Sequence, residues 1–339
     1  MSADPATVSW LTGHVPEIEW GPSPFSAPPI AVLEPDGTVR AIVSEDEAGG
    51  LAADVEPLTF PGFALEDVDR RAAAVKVASS ALRGKSTVAV ELASLPGSLV
   101  RALGDAVLED VHRELQSARA VKDGDELAAI RAAIRAADAG QAAARAGLAA
   151  GRTELELWNE TRAAIEAAVG GRTPLLADFV TGPRTVEVGG PPSDRRVEKN
   201  DLLLVDLVPR VAAYWGDSCA TVAVGDATEA VRSVHAAALE ALDAAKAAIR
   251  PGARAAEVDA AARAFLSYPH HTGHGLGLTT HEEPRIVPGS DRVLEAGMVV
   301  ALEPGAYGDD WGVRVEQVVL VTPDGHELLS GHDLALQTT

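Results

Sequence analysis

Residues 202–224 read LLLVDLVPRVAAYWGDSCATVAV, and residues 298–321 read MVVALEPGAYGDDWGVRVEQVVLV. Each stretch is a pair of apolar, β-rich runs about a short centre, the pattern of an antiparallel hairpin. In each, both arms are interrupted by an acid. Folding the first about Val211-Ala212 sets Asp206 directly opposite Asp217, and folding the second about Asp309-Asp310 sets Glu303 opposite Glu316. Like charges facing each other across a ladder are destabilising, and burying them uncompensated is costlier still. Its occurrence twice in one chain implies cations between the pairs.

Between the hairpins, residues 269–284 read PHHTGHGLGLTTHEEP. A single histidine is more often structural than a ligand, and a single acid at a strand end is ordinarily solvated. Here His270, His271, His274 and His281 fall in one short segment, and Gly273, Gly275 and Gly277 let its backbone approach a neighbour closely. Together the three segments offer Asp206, Asp217, His274, Glu303 and Glu316 as donors. Oxygen-rich ligation with one imidazole favours manganese, cobalt, iron or zinc. Two such ions about 3.5–4 Å apart form the clamp with which aminopeptidases polarise a carbonyl and generate hydroxide.

The strings VDLVPRVAAYWGDS (205–218), HHTGHGLGLTTHEEP (270–284), LEPGAY (302–307) and GVRVEQVVLV (312–321) resemble the metal-site motifs of the pita-bread metallopeptidases. That family comprises the prolidases, aminopeptidases P and methionine aminopeptidases, and the chain looks most similar to the Xaa-Pro peptidases. AVKDGDELAAIRAAIRAADAG (120–140) resembles the start of the family's catalytic domain, and WLTG (10–13) that of its N-terminal domain. The resemblance implies an α+β chain, with a pita-bread (creatinase/aminopeptidase-like) catalytic domain over 118–339 and a smaller α/β domain over 1–117. It implies that Asp206, Asp217, His274, Glu303 and Glu316 hold two divalent ions, manganese first and cobalt, zinc or iron as alternatives, with Asp217 and Glu316 bridging. Glu303 would double as acid/base. His281 would steady the substrate carbonyl, His270 would line the pocket, and Arg314 would meet a substrate carboxylate or carbonyl. A homodimer is expected on the same ground.

Two departures from the family pattern concern the substrate. A histidine pair that follows the GPNSALP-like segment in prolidases and aminopeptidases P is replaced in GPRTVEVGGPPSDR (182–195) by Gly189 and Gly190. The family's DITRT becomes Asp217-Ser218-Cys219-Ala220-Thr221, without its usual threonine and arginine near the metals. The expected function is therefore metal-dependent hydrolysis of a peptide or amide bond, as an Xaa-Pro dipeptidase or aminopeptidase. The alternatives are a hydrolase of a small non-peptidic amide or cyclic amidine with an altered pocket at Gly189, and a non-catalytic binding module of the same fold. A metal-free, creatinase-like hydrolase is disfavoured by the complete ligand set.

The net charge of −21 excludes general nucleic-acid binding, which needs clustered Lys and Arg. No apolar run reaches the roughly 18 residues of a membrane span. MSADPATVSW lacks the basic start and apolar stretch of a secretory signal, which makes the cytoplasm the expectation. The single cysteine, Cys219, rules out an intrachain disulfide framework. A buried cysteine is usually a small hydrophobe, and Cys219 is assigned no chemistry. Nucleophile-elbow, HExxH and Walker A strings are absent, and GHGLG lacks the third glycine of a dinucleotide fingerprint.

Local signals predict the elements. Pro28–Val43 reads as strand, Pro35-Asp36-Gly37 turn and strand; Asp67–Leu82 has helical spacing; Ser86–Val90 reads as a strand. Asp123 with Glu126 and Thr153 with Glu156 form capping boxes ahead of two helices, the first ending near Gly147–Gly151 and the second at Gly170-Gly171. Further helices are predicted over Glu229–Ile249, before Pro251-Gly252, and over Ala255–Phe265.

Overall fold

The structure, a computed structural model, describes residues 1–15, 27–62 and 69–337. The chain divides into two compact units, Met1–Arg119 and Ala120–Thr339.

In the first unit, helix α1 (Pro5–Thr12) precedes β1 (Ile30–Leu33), β2 (Val39–Ser44) and β3 (Glu56–Phe60). Helix α2 (Arg70–Ala81), β4 (Thr87–Val90), α3 (Gly97–Ala102), β5 (Val107–Asp110) and α4 (His112–Ala120) follow. β1 and β2 are antiparallel, turning at Gly37 with φ 90°, as the Asp36-Gly37 signal requires. β3 joins β2 in parallel, and β4 pairs with β5 in parallel. α2 begins at its N-cap Asp69, whose carboxylate accepts from Ala72 N at 2.9 Å. The predicted start at Asp67 lies outside the described residues.

The second unit opens with α5 (Gly124–Gly147) and α6 (Glu154–Val169), both started by the expected capping boxes. α6 stops at Gly170, where φ is 81°, a value a glycine adopts without penalty. Next come β6 (Leu175–Thr181), β7 (Leu202–Val211), β8 (Tyr214–Trp215), β9 (Cys219–Ala223), α7 (Glu229–Ala248) and α8 (Ala255–Arg263). The chain continues through β10 (Gly273–Gly275), β11 (Glu282–Ile286), β12 (Val299–Leu302), β13 (Gly305–Tyr307), β14 (Gly312–Arg314), β15 (Gln317–Thr322) and β16 (Gly325–Leu328). β7 is flanked by β6 and β9, and β12 lies between β10 and β15.

Alternation along the strands explains where the helices sit. On β12 and β15, Val299, Ala301, Val318 and Leu320 pack with Ile130 and Ile134 of α5. The intervening Val300, Leu302, Val319 and Val321 pack with Val231, Leu242 and Val258 of α7 and α8. That sheet is buried on both faces, which is why MVVAL and QVVLV read as continuous apolar runs. On β7, Leu203, Val205 and Leu207 pack with Leu157 and Ile165 of α6, while Leu204 turns the other way, toward Val180 and Cys219. Asp206 shares the parity of Leu204, so it points away from the helices.

Candidate active site

Ala212 and Ala213 have φ of 47° and 74°, the positive values of a two-residue type I′ hairpin turn. Val211 therefore pairs with Tyr214, and Asp206 pairs with Cys219, not with Asp217. The predicted facing of these two acids is off by two residues, because the turn closes on both alanines and not on Val211-Ala212. A slip of two leaves every side chain on its face, so Asp217 becomes a diagonal neighbour of Asp206. Gly216 makes this possible, since a Cβ there would lie 2.5 Å from the Ala133 carbonyl carbon of α5. In the second hairpin the register is the predicted one: Leu302 pairs with Gln317 and Gly305 with Arg314, which leaves Glu303 opposite Glu316. The ladder breaks at the acids. Glu303 N donates to Thr272 O at 2.8 Å, and Glu316 N donates to Cys219 O at 2.9 Å.

His274 lies in β10 opposite Ala301, in a strand whose glycines are sterically required: a Cβ at Gly273 or Gly275 would collide with the carbonyl of Ala301 or Glu283. Its Nδ1 donates to Gly275 O at 3.0 Å, and burial lowers its pKa to about 3, so Nε2 carries a lone pair. That lone pair faces Glu303 Oε1 at 3.5 Å and Asp217 Oδ2 at 3.8 Å. Ligand atoms of Asp217, His274 and Glu316 lie within 4.8 Å of one another, as do those of His271, His274, His281 and Glu303. Asp206 belongs to neither group and meets the site through Arg314, whose NH2 donates to Asp206 Oδ2 at 2.6 Å.

Arg314 is buried, with 3% of its side chain exposed. The same NH2 group also donates to Asp178 Oδ2 at 2.8 Å, and NH1 donates to the Tyr307 hydroxyl at 3.3 Å. Tyr307 in turn meets His270 Nε2 at 3.0 Å, while His270 Nδ1 donates to His271 O at 2.8 Å. Arg314, Tyr307 and His270 thus form one hydrogen-bonded line. Thr221 clamps the Arg314 backbone from β9, its hydroxyl donating to Arg314 O and accepting from Arg314 N, both at 3.0 Å. His281 stands against His274 at a ring-centroid separation of 4.0 Å, and Thr280 Oγ1 is 3.1 Å from its Nδ1. Cys219 is fully buried and burial raises its thiol pKa, in keeping with a packing role.

Sequence reasoning placed His271 in the histidine cluster without a role and missed Asp178, Arg285 and Tyr307. Asp178 is the β6 partner of Asp206 across the ladder, and its Oδ1 accepts from Gly190 N at 2.9 Å. It secures the bend in which Gly189 has φ 99°. His271 Nε2 lies 2.6 Å from Glu303 Oε1, and its Nδ1 accepts from Arg285 NH2 at 3.0 Å. A charged residue facing an acid across a predicted ladder is the one signal that would have found Asp178, once β6 was paired with β7.

Residues 128–323 match the profile of metallopeptidase family M24. The chain belongs to metallopeptidase family M24. It is 36% identical over 263 residues to a Mycobacterium bovis protein called probable dipeptidase PepE, spanning 73% of this chain and 69% of that one. In structure it is similar to the prolidase from Pyrococcus furiosus, with a TM-score of 0.84 and 26% identity over 98% of this chain and 96% of that chain. It is also similar to dipeptidase PepE from Mycobacterium ulcerans, with a TM-score of 0.80 and 30% identity over 98% and 90% of the two chains. The α+β pita-bread fold and the peptidase class expected from the sequence are those of this M24 chain.

M24 membership implies divalent metal ions, and the donor chemistry fits them on three counts. The His274 Nε2 lone pair faces the carboxylate oxygens of both Glu303 and Asp217. Glu316 Oε1 is buried and has no hydrogen-bond partner among the described residues. The acids also pay for their crowding: burial, with Asp178 and Glu303 adding and Arg314 opposing, lifts Asp206 to about 6. Burial and the neighbouring acids push Asp217 and Glu316 well above the carboxylate range. For Glu303, burial is opposed first by the His271 hydrogen bond and further by Arg314, and its pKa is lowered to about 2. A single arginine shared with Asp178 does not neutralise four acids. Dications would.

Proposed function

We propose that this chain hydrolyses small peptides in a metal-dependent reaction, with Xaa-Pro dipeptides as the first substrates to test. The observation that carries this reading is His274, whose Nε2 lone pair is shared by two donor clusters, one with Asp217 and Glu316 and the other including Glu303. Relatives described as prolidase and dipeptidase support the substrate class. Asp206, Asp217, His274, Glu303 and Glu316 would hold two divalent ions, manganese first, which when bound polarise a carbonyl and bring the pKa of water to about 7.

The chain's own groups supply the rest. Glu303, ionised in this setting, would accept a proton from the attacking water and return it to the leaving nitrogen. His281 would donate a hydrogen bond to the carbonyl oxygen as negative charge develops there. The line Arg314–Tyr307–His270 would receive the far end of the substrate, with Tyr307 and His270 as its reachable members.

The test is turnover of Ala-Pro and Ala-Pro-Ala by protein dialysed free of metal and reloaded with manganese. Cleavage of Ala-Pro only with metal present is the expected result; turnover of neither peptide would remove the proline-directed reading. Among the described residues no helix is long and apolar enough to cross a membrane. We further propose a cytoplasmic homodimer, for which light scattering of the purified chain should give twice the monomer mass.

A further inference from the structure

His271 and His274 are three residues apart, and their hydrogen bonds fix opposite tautomers. On His274 the proton sits at Nδ1, bonded to Gly275 O, and Nε2 is free. On His271 the reverse holds. Arg285, the β11 cross-strand partner of His274, brings NH2 to 3.0 Å from His271 Nδ1. A guanidinium has donors only, so Nδ1 must accept and the proton of the neutral ring must sit on Nε2. That Nε2–H points at Glu303 Oε1, 2.6 Å away. The other carboxylate oxygen, Oε2, is 3.9 Å from Arg314 Nε.

By distance alone His271 falls within one four-residue donor cluster with His274, His281 and Glu303. Its tautomer takes it out of that set. A nitrogen that carries a hydrogen offers no lone pair, and moving the proton to Nδ1 would set it against the Arg285 donor. The hydrogen bond to Glu303 therefore defines what the residue does.

We infer that His271, oriented by Arg285, is a positioning residue that holds one oxygen of Glu303 and is not itself a metal ligand. The inference rests on the proposed role of Glu303 as a ligand. Partners that orient a ligating carboxylate contribute roughly ten- to a hundred-fold to metal affinity. They do so without touching the ion.

Calorimetric titration of the metal-free chain with manganese tests this with His271→Ala and His271→Gln. The glutamine amide both donates to Glu303 and accepts from Arg285, so it reproduces the two hydrogen bonds. His271→Ala should weaken manganese binding by about ten-fold or more, and His271→Gln should recover most of the loss. Nitrogen-15 spectra of the metal-free wild type should show His271 protonated at Nε2 and bare at Nδ1. Wild-type affinity in His271→Ala, no rescue by glutamine, or the opposite tautomer would each overturn the inference. If His271→Ala does not fold, the glutamine variant and the wild-type tautomer still decide it. A wild-type chain that binds no manganese would overturn the proposed metal site along with it, whereas one that binds normally and ignores the His271 change removes this inference alone.

Discussion

Asp206, Asp217, Glu303 and Glu316 stand out in the sequence because each interrupts an apolar run where an acid has no solvent to face. Asp178 does not stand out, and His271 does so only as one of four clustered histidines. Asp178 acquires its meaning from Arg314, 136 residues away, and His271 from Arg285 and Glu303, so the role of neither has a local signature. Glu316 offers the sharpest single-residue test, since its Oε1 has no hydrogen-bond partner among the described residues. Glu316→Ala should abolish metal-dependent peptide turnover and reduce manganese bound per chain; unchanged turnover with full metal content would remove Glu316 from the site. Gly189 behaves differently from what its sequence context suggests. With φ 99° it occupies backbone space that a histidine enters only under strain. Gly189→His should therefore cost on the order of 1–3 kcal/mol in urea unfolding, and an unaltered midpoint would show that the bend tolerates a side chain. The glycine here is thus tied to a bend held by the bond from Gly190 N to Asp178.

The hairpins show what patterning settles and what it leaves to turn chemistry. Apolar runs located all four arms, and the second register was legible because Asp309-Asp310 is an unambiguous polar centre. The first was not, because VAAYW has no glycine or asparagine to mark which residues take positive φ. Two alanines take it, at a cost of roughly 1–2 kcal/mol each for a left-handed L-residue. Replacing the exposed Ala212 by Asn or Gly should raise stability by about 0.5–1 kcal/mol in urea unfolding. A loss of stability would mean that the turn is not of this type. Function survives the two-residue slip for a geometric reason: the pleat repeats every second residue, so Asp217 keeps the face it needs. Helix limits were more legible than strand register, as capping boxes and Gly170 are local signals, though α8 stops at Arg263, short of the predicted Phe265.

Across the whole molecule the buried acids make stability depend on pH in opposite directions with and without metal. In the metal-free protein Asp206 has its pKa raised to about 6 by burial, so between the unfolded value near 4 and 6 the folded state holds a proton that the unfolded state has lost. Stability must then fall as pH rises through that window, by on the order of 2–3 kcal/mol for a shift of this size. Asp217 and Glu316 shift the same way and extend the loss to higher pH, while Glu303, held low, opposes it. Metal binds the ionised acids and gains as they deprotonate. Melting temperatures should therefore drop from pH 5 to pH 7 for the dialysed protein and rise over the same range with saturating manganese; parallel curves would contradict a metal held by these acids. The fold was legible because a core buried on both sheet faces leaves continuous apolar runs, whereas the substrate-facing residues follow no periodicity. Anomalous diffraction from manganese-loaded crystals tests the central claim most directly. Two peaks among Asp206, Asp217, His274, Glu303 and Glu316 are the expected result; a saturated crystal with no anomalous density between those side chains would contradict it.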